Sequence, residues 1–146
     1  MVFAFRQLKQ MNCSALGELY QFPNWKEEID FMDHLRDVFF RTAGAVYYVW
    51  IENGRYIAAL RLEPWDGKLL LSGFQTHPSY RRQGYGLMLM QEVLRDHVHG
   101  TVCSHIHHKN YASIALHLKA GFRKAFESAR LLDGTVTSQY GTYVFG

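Results

Sequence analysis

The sequence predicts a mixed α/β (α+β) fold in which a central, mostly antiparallel sheet of about seven strands carries helices on both faces. Three observations predict it. Hydrophobic periodicity gives the order strand, two helices, three strands, helix, strand, helix, two strands. Asn53-Gly54 and Pro64-Trp65-Asp66-Gly67 each sit between runs that read as strands, and Asn-Gly is the strongest short hairpin signal because both turn residues need positive φ. A helical pattern separates the run ending at Thr76 from the run starting at Thr101, so these two strands run parallel.

Each element has a local reason. Val2 to Leu8 alternates apolar and polar residues and reads as the first strand. Asn12 or Ser14 can cap a helix over about residues 14–21, which Pro23 and Asn24 end. A second helix is expected from about Trp25 to Phe40, with Ile29, Met32, Leu35 and Phe39 on its apolar face. Its other face carries Glu27, Glu28, Asp30, Asp33 and Asp37, a solvated surface that also has the sign to attract a cationic ligand. Val46 to Glu52, Arg55 to Glu63 and Lys68 to Thr76 form an antiparallel meander. A helix follows from about Gly84 to His97, then a strand from Thr101 to His107 and a helix from Asn110 to Ala120. Asn110 can cap this last helix, and Gly121 stands just past its end. Phe122 to Leu132 and Thr135 to Phe145 close the sheet as two strands joined by Asp133-Gly134.

Bulk properties narrow the class. A chain of 146 residues is expected to form one domain, 1–146, with a real core. Hydrophobic content of 48% and aromatic content of 15% exclude a disordered chain. A net charge of +3, with no lysine–arginine block, gives no nucleic-acid footprint and suits an anionic ligand. Cys13 and Cys103 form no spaced framework, which points to a reducing, cytoplasmic setting. No signal peptide and no membrane span is read from the apolar runs. The sequence leaves oligomeric state open, a homodimer included.

The stretch Phe74-Gln-Thr-His-Pro-Ser-Tyr-Arg-Arg-Gln-Gly-Tyr-Gly-Leu87 carries the chemistry. It leaves a strand at Pro78, passes Arg81 and Arg82, and enters a helix through Gly84 and Gly86. The first amides of a helix lack internal partners, the helix dipole adds positive charge there, and glycine admits a phosphate to the backbone. The third glycine of the dinucleotide fingerprint is absent, since Leu89 stands there.

Arg81-x-x-Gly84-x-Gly86, after a strand ending at His77-Pro78, resembles the acetyl-CoA motif of the GNAT acetyltransferases. Downstream, Asn110-Tyr-Ala-Ser113-Ile-Ala-Leu116-His117-Leu-Lys119-Ala-Gly121-Phe122 is similar to the second motif helix of that family. The resemblance covers residues 69–122. It implies a GNAT-like fold, acetyl-CoA as cosubstrate with no metal, and direct transfer of an acetyl group to a primary amine of a small molecule or peptide. It also implies that the backbone of Phe74, Gln75 and Thr76 pairs with the pantetheine arm. The pyrophosphate then lies on the amides of Arg82, Gln83, Gly84, Tyr85, Gly86 and Leu87, beside the charge of Arg81. A backbone amide near the end of the strand from Leu69 to Thr76 becomes the oxyanion donor. The alternative is a non-catalytic acyl-CoA-binding or regulatory module.

By helical spacing Asn110, Ser113 and His117 share a face, with Tyr111, Ile114, Ala115 and Leu118 expected on the neighbouring core face. In the resemblance Asn110 touches pantetheine. His117 takes a position usually held by tyrosine, the general acid, so it either supplies that proton, leaves the role empty, or packs. His105 lies five residues before Asn110, where one branch of the family carries a basic glutamate, and an imidazole is a chemically reasonable substitute. Glu52, Glu63 and His77 are other candidate bases. The cluster Cys103-Ser104-His105-Ile106-His107-His108 also has a metal-binding reading and a plain structural one, and no second ligand pair with zinc-like spacing accompanies it.

Overall fold

The computed structural model describes residues 3–97 and 100–146. The expected first residue of the first strand, Val2, lies outside them. Strand β1 (Phe3–Gln7) leads into a 3-10 turn over Gln10–Ala15 and a short helix, α1 (Leu16–Tyr20). Neither Asn12 nor Ser14 caps α1, which starts later than expected and is held by Leu16 and Leu19, both fully buried. Helix α2 (Trp25–Asp37) is capped by Asn24, whose Oδ1 accepts from the Glu27 amide at 2.9 Å. It stops short of Phe40 because Val38 leaves helical geometry, and Phe39–Arg41 continues as a 3-10 turn. Its buried stripe is narrower than the sequence implied: Leu35 and Phe39 are buried, Met32 is half-buried, and Ile29 is 49% exposed.

Strands β2 (Val46–Glu52), β3 (Arg55–Trp65) and β4 (Lys68–Thr76) form the expected meander. Helix α3 (Tyr85–Asp96), strand β5 (Val102–His107) and helix α4 (Tyr111–Ala120) follow. The last two expected strands are each broken. β6 (Arg123–Phe126) and β9 (Tyr140–Phe145) stay in the main sheet, while β7 (Ala129–Arg130) and β8 (Val136–Thr137) pair as a separate small sheet. A register shift between Lys124 and Phe126 bends β6 away from the ladder, and the Thr142 hydroxyl donates to the Ser128 carbonyl at 2.8 Å where the chain leaves it.

The main sheet has seven strands in the order β1-β2-β3-β4-β5-β9-β6. Among the described residues only the β4–β5 pair is parallel. Helices cover both faces. On one, Leu16, Leu19, Leu35 and Phe39 pack on Tyr47, Val49, Ile51 and Ala59. On the other, Leu89, Met90, Val93 and Leu94 of α3 pack on Tyr48, Ala58, Leu60, Leu62 and Leu71. The alternation along β2 and β3 therefore feeds two separate cores. Among the described residues no helix is long and apolar enough to cross a membrane.

Leu89, with 0% exposure, and Ile29 give a contrasting pair. Leu89→Ala should cost about 2–5 kcal/mol in urea unfolding, from lost burial plus a cavity. Ile29→Ala should stay within about 0.5 kcal/mol.

Candidate active site

β4 and β5 pair in only three rows, Leu69–Val102, Leu70–Cys103 and Leu71–Ser104. Both strands run on, to Thr76 and His107, without pairing to each other. β5 is held on its other edge by β9, from Val102–Phe145 to His107–Tyr140. The parting leaves a cavity of about 310 Å³. Ser72, Gly73 and Phe74 line it from β4, and Ser104 to His107 from β5. Asn110, Ser113 and His117 close it from α4, and Tyr140 from β9.

The β4 wall carries a bulge that the sequence reading missed. Arg61 pairs with Ser72 and Ala59 with Gln75, so Gly73 and Phe74 together oppose Leu60. Gly73 has φ +62°, the left-handed geometry that glycine allows. The Tyr20 hydroxyl donates to the Gly73 carbonyl and is itself hydrogen-bonded to the Tyr47 hydroxyl. A glycine inside a strand pattern was the available signal.

A larger cavity, about 810 Å³, adjoins the first through shared residues Phe74, Asn110 and Ser113. It extends past Gln75 and Thr76 to Arg81, Arg82 and Gly84 and the first turn of α3. Gly84, at φ +87°, caps α3 and has no side chain of its own to accept from the first turn. The space beside Gly84 is open: a Cβ there meets nothing within 4 Å. Gly86 has a different task. A Cβ on it would lie 2.8 Å from the Phe74 ring, 3.1 Å from Thr76 Oγ1 and 3.3 Å from Leu116, so it lets α3 sit tightly on β4 and α4. Arg81 and Arg82 are exposed, and Lys119 adds a third cation that the sequence reading passed over. Lys119 follows Ala112, Ala115 and Leu116 at helical spacing, and that spacing was the signal for it. Gln83 is not part of the lining; its amide donates to the Ser79 carbonyl at 3.4 Å.

The two expected catalytic histidines meet at the smaller cavity, from different elements. His117 is 2% exposed. Its Nδ1 lies 2.8 Å from the Ser113 carbonyl, which fixes Nδ1 as the protonated nitrogen, and its Nε2 is buried without a hydrogen-bond partner. Burial pushes its pKa below the ordinary value of 6.5, and the Ser113 bond opposes that. His105 is half-buried, its ring nearly perpendicular to that of Trp65 at 5.1 Å between centroids, and its Nε2 is also buried without a partner. Burial lowers its pKa too. Both rings therefore rest neutral at pH 7.

Other expectations fared differently. On α4, Tyr111 is 74% and Leu118 51% exposed, while His117 is the buried residue, so the expected core face is rotated. The 112/115/116/119 side of α4 lines the larger cavity instead. Glu52, Glu63 and His77 line neither cavity. Glu52 is buried and accepts from the Tyr85 hydroxyl at 2.7 Å. His77 is buried beside the turn, its Nδ1 accepting from the Ser79 amide at 3.1 Å. Cys103 is buried, and burial raises its pKa. Among the described residues no three His, Cys, Asp or Glu side chains gather to hold a metal ion.

A family model described as the acetyltransferase (GNAT) family matches residues 6–122. Solved structures share the fold over nearly the whole chain. The ribosomal-protein-S18-alanine N-acetyltransferase of Escherichia coli aligns with a TM-score of 0.70 at 18% identity, covering 98% of this chain and 92% of that one. The paia N-acetyltransferase of Thermoplasma acidophilum, solved with coenzyme A, aligns at 0.67 and 12%, covering 99% and 98%. A spermidine N-acetyltransferase chimera from Vibrio cholerae aligns at 0.69 and 11%, covering 97% and 93%. No curated protein matches the sequence.

The buried histidines set a pH dependence of stability. The unfolded chain binds protons at the ordinary value of 6.5 and the folded chain only at lower pH. Their contribution is therefore complete above 6.5 and declines as pH falls through the depressed folded-state values. Urea midpoints should drop between about pH 6.5 and 5, and His117→Leu should flatten that slope.

Proposed function

The chain belongs to the acetyltransferase (GNAT) family, and from that premise we propose that it moves the acetyl group of acetyl-CoA directly onto a primary amine of a small molecule or peptide. The observation that carries this reading is the parting of β4 from β5 after Leu71 and Ser104, which joins a small cavity to a larger one ending at cations and the start of α3.

The donor fits that larger cavity by its chemistry. Acetyl-CoA is long and narrow, with a polyanionic end. The first-turn amides of α3 and the guanidinium groups of Arg81 and Arg82 suit its pyrophosphate. The β4 edge from Phe74 to Thr76, facing Asn110 and Ser113 of α4, suits the pantetheine amides as an added strand. The thioester then reaches the smaller cavity beside Gly73 and Phe74, where the Phe74 amide serves as oxyanion donor.

Amide formation needs a neutral amine, and burial keeps His105 neutral and ready to accept its proton. We assign His105 as the base. His117 is assigned a weaker role, because its one proton is committed to the Ser113 carbonyl and burial disfavours a second. A coenzyme thiolate leaves without much help, since a model thiol has a pKa of about 8.5. Among relatives of the same fold, acceptors named in their descriptions include a protein's alanine and spermidine, both carrying primary amines.

Thiol release from acetyl-CoA, measured against polyamines, aminoglycosides, amino acids and N-terminal peptides, tests the activity. Release that no amine accelerates, with acetyl-CoA bound, would leave only a binding module. Acetyl-CoA should raise the melting temperature, and Arg82→Glu, an exposed change, should shrink the rise. His105→Ala should lower turnover by about 10²–10⁴ while the acetyl-CoA shift persists. The wild-type profile should lose activity only below the ordinary histidine value of 6.5, and the variant should lack that limb. His117→Phe should cost less than about tenfold.

A further inference from the structure

We propose that Tyr20, backed by Tyr47, is a positioning residue for acetyl transfer: its hydroxyl clasps the Gly73 carbonyl and so aims the Phe74 amide into the cleft between β4 and β5. The proposal rests on the acetyl-transfer reading and adds residues from the opposite face of the sheet to it.

The geometry follows from one peptide plane. The Gly73–Phe74 bond is trans, as are all described peptides. Across a planar trans peptide the carbonyl of one residue and the amide of the next point in opposite directions. The Gly73 carbonyl is held by Tyr20, in the helix layer that packs on Tyr47, Val49 and Ala59. The Phe74 N–H therefore points away from that layer. Phe74 lines both cavities, and its side chain packs into the core under α3.

A bulge glycine alone does not hold this orientation. Gly73 sits in a region of backbone space from which glycine moves easily, and the bulge frees its peptide from the regular ladder. The clasp supplies the missing constraint. Tyr20 has a single hydroxyl proton, which goes to Gly73, so Tyr47 donates to Tyr20 and completes a directional chain. Burial pushes the Tyr20 hydroxyl up to about 12, and Tyr47 is raised further, so both remain donors throughout the working pH range. The Tyr20 ring is in turn fixed by Phe31 of α2, 5.4 Å away between centroids, and by Phe22 at 6.0 Å.

The experiment compares Tyr20→Phe, Tyr47→Phe and Tyr56→Phe. Tyr56 donates to the Asn12 carbonyl at 2.8 Å, packs against the same cluster, and lines neither cavity. It therefore reports the cost of losing a comparable hydrogen bond elsewhere. Tyr20→Phe should lower kcat by about 10–100-fold, below the ceiling of about 10²–10³ for deleting an oxyanion donor outright. KM and Kd for acetyl-CoA should stay within about twofold, because positioning acts on the transition state. Tyr47→Phe should lower kcat by a smaller factor in the same direction. Tyr56→Phe should lower the melting temperature and leave kcat unchanged.

A readout independent of turnover is the Phe74 amide resonance. In the wild type, acetyl-CoA should shift it downfield, and in Tyr20→Phe that shift should shrink while those of the α3 first-turn amides remain. Equal kcat in Tyr20→Phe and the wild type overturns the proposal, as does an equal loss in Tyr56→Phe. If Tyr20→Phe does not fold, an unaltered Phe74 shift in Tyr47→Phe overturns it. A wild type that binds acetyl-CoA but acetylates nothing defeats the acetyl-transfer reading, while the resonance still decides whether the clasp aims the amide.

Discussion

The structure depends on a refusal: two parallel strands stop pairing after three rows. Each further row would add backbone hydrogen bonds worth about 0.5–1.5 kcal/mol apiece. Two helices meet β4 where the pairing stops. The first turn of α3 rests on Phe74 and Thr76 at Gly86, and Leu116 of α4 meets the same glycine. β5 meanwhile keeps its full ladder with β9 on its other edge. The opening thus lies between two continuous ladders and beside one tight helix contact, and the groups proposed to hold the donor and to accept the proton lie along it.

Charge is sorted along the same opening. Arg81, Arg82 and Lys119 stand at its far end, exposed, where solvent screens them. At the near end burial strips the histidines of charge. A polyanion is therefore attracted at one end, while the other offers neutral acceptors of protons. This division suits a reaction whose donor is highly charged away from the bond that breaks.

Much of this was legible in the sequence. Asn53-Gly54 and Asp66-Gly67 fixed the meander because their turn geometry is local, and Asn53 and Asp66 indeed take positive φ with the glycines after them. Gly84 and Asn110 marked their helix starts for the same reason. What stayed hidden depends on contacts between distant segments. Gly73 reads as one weak residue in a strand until Tyr20 and Arg61 are seen beside it. Spacing on α4 grouped His117 with Asn110 and Ser113, but tertiary packing decided which face is buried, and Tyr111 and Leu118 gave way to a histidine whose one donor finds a carbonyl in its own helix. The last two strands read as continuous because alternation persists through a bulge that only pairing reveals.

β4 is the strand on which both helix layers converge. From one face α1 reaches it through the Tyr20 hydroxyl at the Gly73 carbonyl. From the other, α3 reaches it through Gly86 at Phe74 and Thr76. Those two contacts fall on adjacent residues, so the peptide between Gly73 and Phe74 is fixed on both sides by elements that share no core cluster. A packed interior transmits small displacements rather than absorbing them. Changes in either layer therefore converge on the same amide, and a substitution in α1 reaches the β4–β5 cleft through the Tyr20 hydroxyl as directly as one in α3 does through Gly86.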